Sequence, residues 1–235
     1  MDLTVQPGEF VTLLGPSGCG KTTLLNLMAG LLEPTVGTLR WWGEDFSTTG
    51  VPGRKLAMAF QSPTLMPWAR IDTNVRLPLD LAGRPRADAE RDVAAALALV
   101  GLSDAAAQLP RELSGGMQMR ASIARALVTS PDLLLLDEPF GALDEFTRQR
   151  LDAELLALWS AHRLTVVFVT HSIVEAVFLS QRVVVMAARP GRIIASVPIA
   201  QPYPRSDAFR LTPAFAAQCQ QLSQLVADAA TGAAA

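Results

Sequence analysis

The sequence predicts an α/β fold, a mostly parallel sheet carrying a mainly helical insertion. Three observations predict it. Short apolar runs at 10–14, 133–136, 166–170 and 182–186 alternate with stretches of helical periodicity, as expected of strands buried on both faces. Gly15-Pro16-Ser17-Gly18-Cys19-Gly20-Lys21-Thr22-Thr23 has the form G-x-x-x-x-G-K-[ST], between a strand-like run and a helix-like run. From about residue 72 to 130 alanine, leucine and charged residues dominate; Val93, Leu97 and Val100 repeat at helical spacing before Gly101, a natural helix C-cap.

Taken in order, residues 3–5 read as a short strand, Gln6-Pro7-Gly8 as a turn and 9–14 as the next strand. A helix over 23–29 ends near Gly30, a turn follows at 34–37, and strands are expected at 38–42 and 56–60. Pro63 and Pro67 make 61–71 a loop. After the helical stretch, 133–136 is a buried strand ending in Asp137. Residues 143–161 form a helix with Leu151, Leu155 and Leu158 on one face; strand 166–170, helix 173–179 and strand 182–186 complete the alternation. Segment 189–213 is rich in proline and arginine, and 229–235 reads as a frayed, alanine-rich end.

The chain has 235 residues, enough for one large α/β domain or two small ones, and half of them are apolar. A net charge of −2 argues against a nucleic-acid partner. A membrane span needs about 20 consecutive apolar residues, and the longest run, 93–102, is far shorter. Nothing at Met1 resembles a secretory leader. The expectation is a soluble cytoplasmic protein with Cys19 and Cys219 as reduced thiols, free to dock on a membrane protein.

The glycine-rich turn is an anion nest at a helix N-terminus, suited to phosphates. Lys21 would reach the β- and γ-phosphates, and Thr22 would offer its hydroxyl to Mg2+. Asp137 ends an apolar strand, where a carboxylate holds Mg2+ through water, and Glu138 beside it can polarise an attacking water. His171 follows a strand and begins a helix; beside a phosphate loop it reads as a γ-phosphate sensor. Gln61, after strand 56–60, would touch either Mg2+ or the water. Ligands of an open parallel sheet bind beyond the carboxyl ends of its strands; the phosphate loop, Asp137 and His171 all fall directly after predicted strands and should converge on one edge. Ser114-Gly115-Gly116 is a second small turn opening a helix. It reads either as an ordinary N-cap by Ser114, or as a second nest that covers the γ-phosphate held by another copy of the chain.

The phosphate loop, Gln61, Leu113-Ser114-Gly115-Gly116, Leu135-Leu136-Asp137-Glu138-Pro139, Ala142-Leu143-Asp144 and His171 resemble, in that order, an ABC-transporter ATP-binding subunit. The resemblance runs from about Glu9 to Arg192 and implies a P-loop NTPase (RecA-like) core at 1–71 and 131–200, an α-helical ABC subdomain at 72–130 and a C-terminal tail at 201–235. It implies ATP and Mg2+ as ligands. Thr22, Asp137 and Gln61 would serve the metal, and Glu138, with Gln61 and His171, would carry hydrolysis. Residues 15–23, Ser114, Gly115, Gly116 and Asp144 would contact nucleotide. It further implies a head-to-tail homodimer on a membrane permease. Phe60-Gln61, Leu65-Met66-Pro67-Trp68, Asn74-Val75, Pro78-Leu79, Arg189-Pro190-Gly191-Arg192-Ile193, Pro202, Pro204-Arg205 and Thr212-Pro213-Ala214-Phe215 look like importers of the nitrate/sulfonate/taurine type. That group also takes up vitamin precursors and other small organic anions, delivered by an extracytoplasmic binding protein. In it, residues 65–68 would form an apolar groove for a permease helix; the alternative is that they pack inside the helical subdomain.

Three departures stand out. The signature's usual Gln is Met117, followed by Gln118, and Gly141 stands where Ser is common, which would loosen the Asp144 loop. The family carries a further strand and an adenine-stacking aromatic well before the phosphate loop, whereas Met1 lies fourteen positions before Gly15 and residues 1–9 hold no aromatic. Weaker nucleotide binding than in an extended form is the expectation. The rival functions are a soluble non-transport ABC ATPase, which would ordinarily carry long coiled-coil insertions or tandem cassettes, and a nucleotide-regulated interaction protein that does not hydrolyse.

Overall fold

The structure, a computed structural model, describes residues 1–41, 43–45, 55–141 and 143–231. In chain order the elements are β1 (Phe10–Leu14), α1 (Lys21–Met28), β2 (Arg40–Trp41), β3 (Glu44–Asp45), β4 (Leu56–Ala59), α2 (Ile71–Leu81), α3 (Arg86–Leu99), α4 (Gly115–Leu127), β5 (Leu133–Asp137), α5 (Glu145–His162), β6 (Thr165–Thr170), α6 (Ile173–Leu179), β7 (Arg182–Ala187), β8 (Arg192–Pro198), α7 (Asp207–Arg210) and α8 (Pro213–Thr231). Among the described residues the main sheet has the order β4-β5-β6-β1-β7-β8. Every neighbouring pair is parallel except β7 and β8, which are antiparallel.

The sheet separates two apolar layers, and strand periodicity assigns residues to them. In β1, Phe10 and Leu14 face the layer that holds Phe140, Trp159 and Phe168; Val11 and Leu13 face the layer that holds Cys19, Leu25, Val167 and Met186. This two-sided burial is why the central strands read as continuous apolar runs. Between β4 and β5, α2 packs against α3 and α4, and α4 also meets β4. The chain from 207 onward is docked on the body: α8 packs on β7 and α6, burying Phe215 and Leu222. Among the described residues no helix is long and apolar enough to cross a membrane.

Several expectations change. Residues 3–5 form no strand: Leu3 and Val5 do pack against the layer that holds Cys19 and Leu25, as their alternation implies, but they meet no ladder, and a strand is a property of pairing. Thr4 is instead tied down through its carbonyl, which accepts from Arg182 Nη2 at 2.6 Å. The expected strand 38–42 is reduced to Arg40–Trp41, paired with Glu44–Asp45; Trp42 lies outside the described residues. The helix expected from 143 starts at Glu145, because Asp144 is its N-cap and accepts from Thr147 N at 3.0 Å. The expected frayed end is helical as far as Thr231, with Ala229 buried; residues 232–235 lie outside the described set. Both cysteines are free thiols.

Candidate active site

The phosphate loop is built by exclusion as much as by attraction. A Cβ at Gly15 would sit 2.4 Å from the carbonyl oxygen of Met186 and 2.9 Å from Cys19 Sγ, so only glycine lets the loop lie on β7. Gly18 and Gly20 meet no obstruction, but have φ of +78° and +100°, which favours glycine. From the other side, the β7–β8 turn presses on the loop: a Cβ at Gly191 would come within 2.9 Å of Cys19 O. Lys21 is almost fully buried, its ammonium donating to Gly15 O at 2.8 Å and Pro16 O at 3.2 Å. Its positive charge therefore sits inside the loop's curve, while Ser17 and Gly18 are exposed around it.

Four strands meet at this edge. The Thr22 hydroxyl donates to Asp137 Oδ1 at 3.1 Å, across 115 residues of sequence. Burial raises the Asp137 carboxyl above its ordinary range, with Glu138's charge pushing the same way; the Thr22 hydrogen bond and Lys21 oppose it. A buried carboxylate next to a hydroxyl, both hard oxygen donors, fits a hydrated Mg2+.

Glu138 has φ of +45°, a left-handed conformation uncommon for a non-glycine residue. Its N–H bonds Val169 O at 2.9 Å, and its carbonyl accepts from Gly141 N at 3.1 Å. The backbone is thus held from both sides, and the side chain reaches His171, Oε2 to Nδ1 at 3.2 Å. His171 is exposed, directly beyond β6. Gln61 is also exposed at this edge, two residues beyond Ala59, which pairs with Leu136. The phosphate loop, Asp137 and His171 thus lie at one edge of the sheet, as their places after strands imply, with Glu138 joined to His171 and Gln61 beyond β4 at the same edge.

The signature turn is different. Ser114 caps α4, its hydroxyl accepting from Met117 N at 3.3 Å. Ser114 and Gly115 are exposed, and a Cβ at Gly115 would meet nothing within 4 Å. Gly116 is buried within the same chain: a Cβ there would lie 3.0 Å from Thr147 Cγ2 and 3.8 Å from Leu143 Cδ2. Gly116 thus lets α4 seat against the start of α5, while Gly115 faces outward. The exposed Asp144 carboxyl lies below the usual carboxylate range because it accepts from Thr147. Ala142, next to this loop, lies outside the described residues.

Three residues that sequence reasoning gave no role prove central to positioning. Arg125 of α4 grips the loop after Gln61 with three hydrogen bonds, to Pro63 O at 3.0 Å, Thr64 O at 2.9 Å and Thr64 Oγ1 at 2.7 Å. Asn74, fully buried, donates to Met66 O, Ala69 O and Arg70 O, and accepts from Met66 N at 2.7 Å. It folds 66–70 into a turn that leaves Trp68 79% exposed while Leu65 and Met66 are half-buried. The third, Arg148, clasps the loop after Glu138. An arginine in an amphipathic helix carries no local mark of such a role; Asn74 enters the sequence reading only as an importer-type cue, although a polar residue among α2's core positions is a signal in itself.

A family model described as ABC transporter matches residues 1–141. A Brucella abortus chain whose name states only ATP binding is 48% identical over 217 residues, covering 92% of this chain and 82% of its own length. An aliphatic sulfonates import ATP-binding protein of Bacillus licheniformis is 42% identical, covering 92% and 81%. Among solved structures, a dimeric ATP-binding cassette bound to ADP and Pi superposes with a TM-score of 0.73 at 31% identity, covering 85% of this chain and 89% of its own. With the phosphate loop, the Asp137–Glu138 strand end and the signature turn in the geometry described, the chain belongs to the ABC transporter ATP-binding family, and it is an ATPase.

Proposed function

We propose that this chain is the ATP-hydrolysing subunit of an importer for a small solute, such as nitrate, a sulfonate, taurine or a related organic anion or vitamin precursor. The observation that carries the reading is the meeting of Thr22 with Asp137 and of Glu138 with His171 at one sheet edge. The 42% identity to a sulfonate-import subunit supports the anion class. In this reading the core is 1–71 and 131–200, the helical subdomain 72–130, and the tail 201–235.

Residues 15–23 hold the phosphates, with the Lys21 ammonium exchanging its loop carbonyls for phosphate oxygens. Thr22 and Asp137, with Gln61, hold Mg2+, which when bound neutralises phosphate charge. Glu138 orients or deprotonates the attacking water, and His171, within hydrogen-bonding reach of it, senses the γ-phosphate. Most of the rate enhancement then comes from positioning and charge stabilisation. Two copies close head to tail, Ser114, Gly115 and the backbone of Gly116 of each covering the nucleotide of the other, with Asp144 also at the nucleotide. The dimer works on the cytoplasmic face of the membrane against permease subunits, fed by an extracytoplasmic binding protein. The exposed Trp68, with Pro67 beside it, suits the apolar contact with a permease helix.

The test is Glu138→Gln. The variant is expected to bind Mg·ATP and to accumulate as a dimer on size exclusion, while steady-state turnover falls by about 100-fold or more. Turnover at the level of the unmodified chain would remove Glu138 from this role.

A further inference from the structure

Beneath the Glu138–His171 pair lies a polar cluster that the hydrolysis scheme does not use. Arg148, at the end of the first turn of α5, directs its guanidinium at the loop before it and at two carboxylates, Nη1 pairing with the exposed Glu145 Oε2 at 3.1 Å. Nη2 donates to Leu143 O at 2.8 Å and Nε to Phe140 O at 3.4 Å, which ties down both ends of the loop that follows Glu138. The same Nε lies 3.7 Å from Oε1 of Glu175. Glu175 is on α6 and only 3% exposed. Its Oε1 has no hydrogen-bond partner, while its Oε2 accepts from the Thr170 hydroxyl, the residue before His171. The Thr170 oxygen in turn accepts from Ser172 N at 2.9 Å, the residue after His171. His171 is thus flanked on both sides by groups that report to Glu175, and the Glu138 loop is held by the arginine facing Glu175.

We infer that Arg148 and Glu175 form a clamp that sets the separation of Glu138 and His171, and are positioning residues for ATP hydrolysis. The physical argument is economy of contacts. A carboxylate taken out of water without a full set of hydrogen bonds is costly, and burial raises the Glu175 carboxyl above its ordinary range. Apolar residues of similar volume often replace buried ion pairs without loss of stability. What an apolar residue lacks is the ability to join one loop's carbonyls, through a forked cation, to the hydroxyl that braces the other loop. Behind the clamp, Asp152 is fully buried and paired with Arg210 at 2.8 Å, the guanidinium stacking on Phe178 at 3.7 Å; this anchors the second charge layer to α7.

The inference rests on the roles proposed for Glu138 and His171, so the test must separate the two. Full-length Arg148→Met, Arg148→Lys and Glu175→Gln are assayed beside Glu138→Gln, with kcat expressed per chain able to bind a fluorescent ATP analogue. Displacing a catalytic group by a fraction of an ångström to an ångström costs up to about 100-fold in rate. Arg148→Met and Glu175→Gln are therefore expected to lose on the order of 10- to 100-fold in kcat, with KM for ATP changed by about twofold or less. Lysine, a point charge, is expected to restore only part of this. The double variant Arg148→Met/Glu175→Gln is expected to be no slower than the worse single, since both break one clamp. A purely structural role would lower the melting temperature and the fraction of nucleotide-binding chains while leaving kcat per binding chain unchanged; that result overturns the inference. Should Arg148→Met fail to fold, Glu175→Gln, which keeps size and can still accept from Thr170, decides the matter. Full turnover in Glu138→Gln overturns the underlying roles and the clamp with them. Loss there, with undiminished kcat in the clamp variants, overturns the clamp alone.

Discussion

The phosphate loop and the signature turn are both glycine-rich turns at the head of a helix, yet the chain treats them in opposite ways. The phosphate loop is braced at both ends from within the chain, with its crest open at Gly18 and Gly20: Met186 O closes on Gly15, Gly191 presses on Cys19, Lys21 is satisfied by two loop carbonyls, and Thr22 reaches Asp137. Around the signature turn only the inner side is occupied, where Gly116 meets Thr147; Ser114 and Gly115 face outward with open space beyond Gly115. The first turn is the finished side, braced within its own chain; the second is braced on its inner side only. On the proposed head-to-tail pairing, the first turn binds nucleotide and the second closes over the nucleotide of another copy.

The sharpest way to break this comparison is Gly115→Glu. Nothing in the chain obstructs the new side chain, so melting temperature and nucleotide binding should be close to those of the parent, as for most surface changes, within about 0.5 kcal/mol. ATP-driven dimerisation and turnover should be lost, because a carboxylate would face the partner's γ-phosphate. Retained dimerisation on size exclusion would show that the outward turn closes on nothing.

Gly15→Ala probes the finished side. The added methyl must displace backbone at Met186, and overpacking of this kind costs about 1–3 kcal/mol. The expected result is a lower denaturation midpoint together with weaker nucleotide binding, and an unchanged midpoint would mean the loop lifts off β7 easily.

A third expectation concerns the charge layer beneath the site. The Asp152 carboxyl is pushed up to about 7, chiefly by burial and then by the charge of Glu175, against the opposing pull of Arg210 and Arg148. The folded chain therefore holds this proton more tightly than the unfolded chain does. Between about pH 4 and 7 the unfolded state is the one that loses it, so this group makes stability fall as pH rises across that window. Asp152→Asn removes the titration. Its stability relative to the parent should rise steadily from pH 4.5 to 7 in urea denaturation, and a pH-independent difference would show that Asp152 does not titrate there.

The smallest effect sharpens the departure at Gly141. A Cβ there would stand 3.5 Å from Glu138 O and 3.7 Å from Glu138 Oε2, ordinary contact, and the backbone lies outside the left-handed region. Gly141→Ala should stabilise the chain by about 0.4–1 kcal/mol through the unfolded state, read as a small rise in denaturation midpoint. Destabilisation would mean that the loop needs glycine after all.

What the sequence determined by itself was local. The phosphate loop, the acidic strand end at Asp137 and Glu138, the Ser114 cap and the alternation of strands and helices all follow from residue type and short spacing, because turns, caps and strand burial are short-range physics. Tertiary structure decided which distant groups share a contact. Leu3 and Val5 alternate like a strand and form none, since a ladder needs a neighbour. Glycine at 15 and 191 is required by Met186 and Cys19, not by local conformation. Arg125 finds Thr64 across 61 residues, and Arg148 meets Glu175 across a helix boundary. Such pairings depend on how α4, α5 and α6 pack on the sheet, which no window of sequence contains, and they set the geometry in which the legible motifs work.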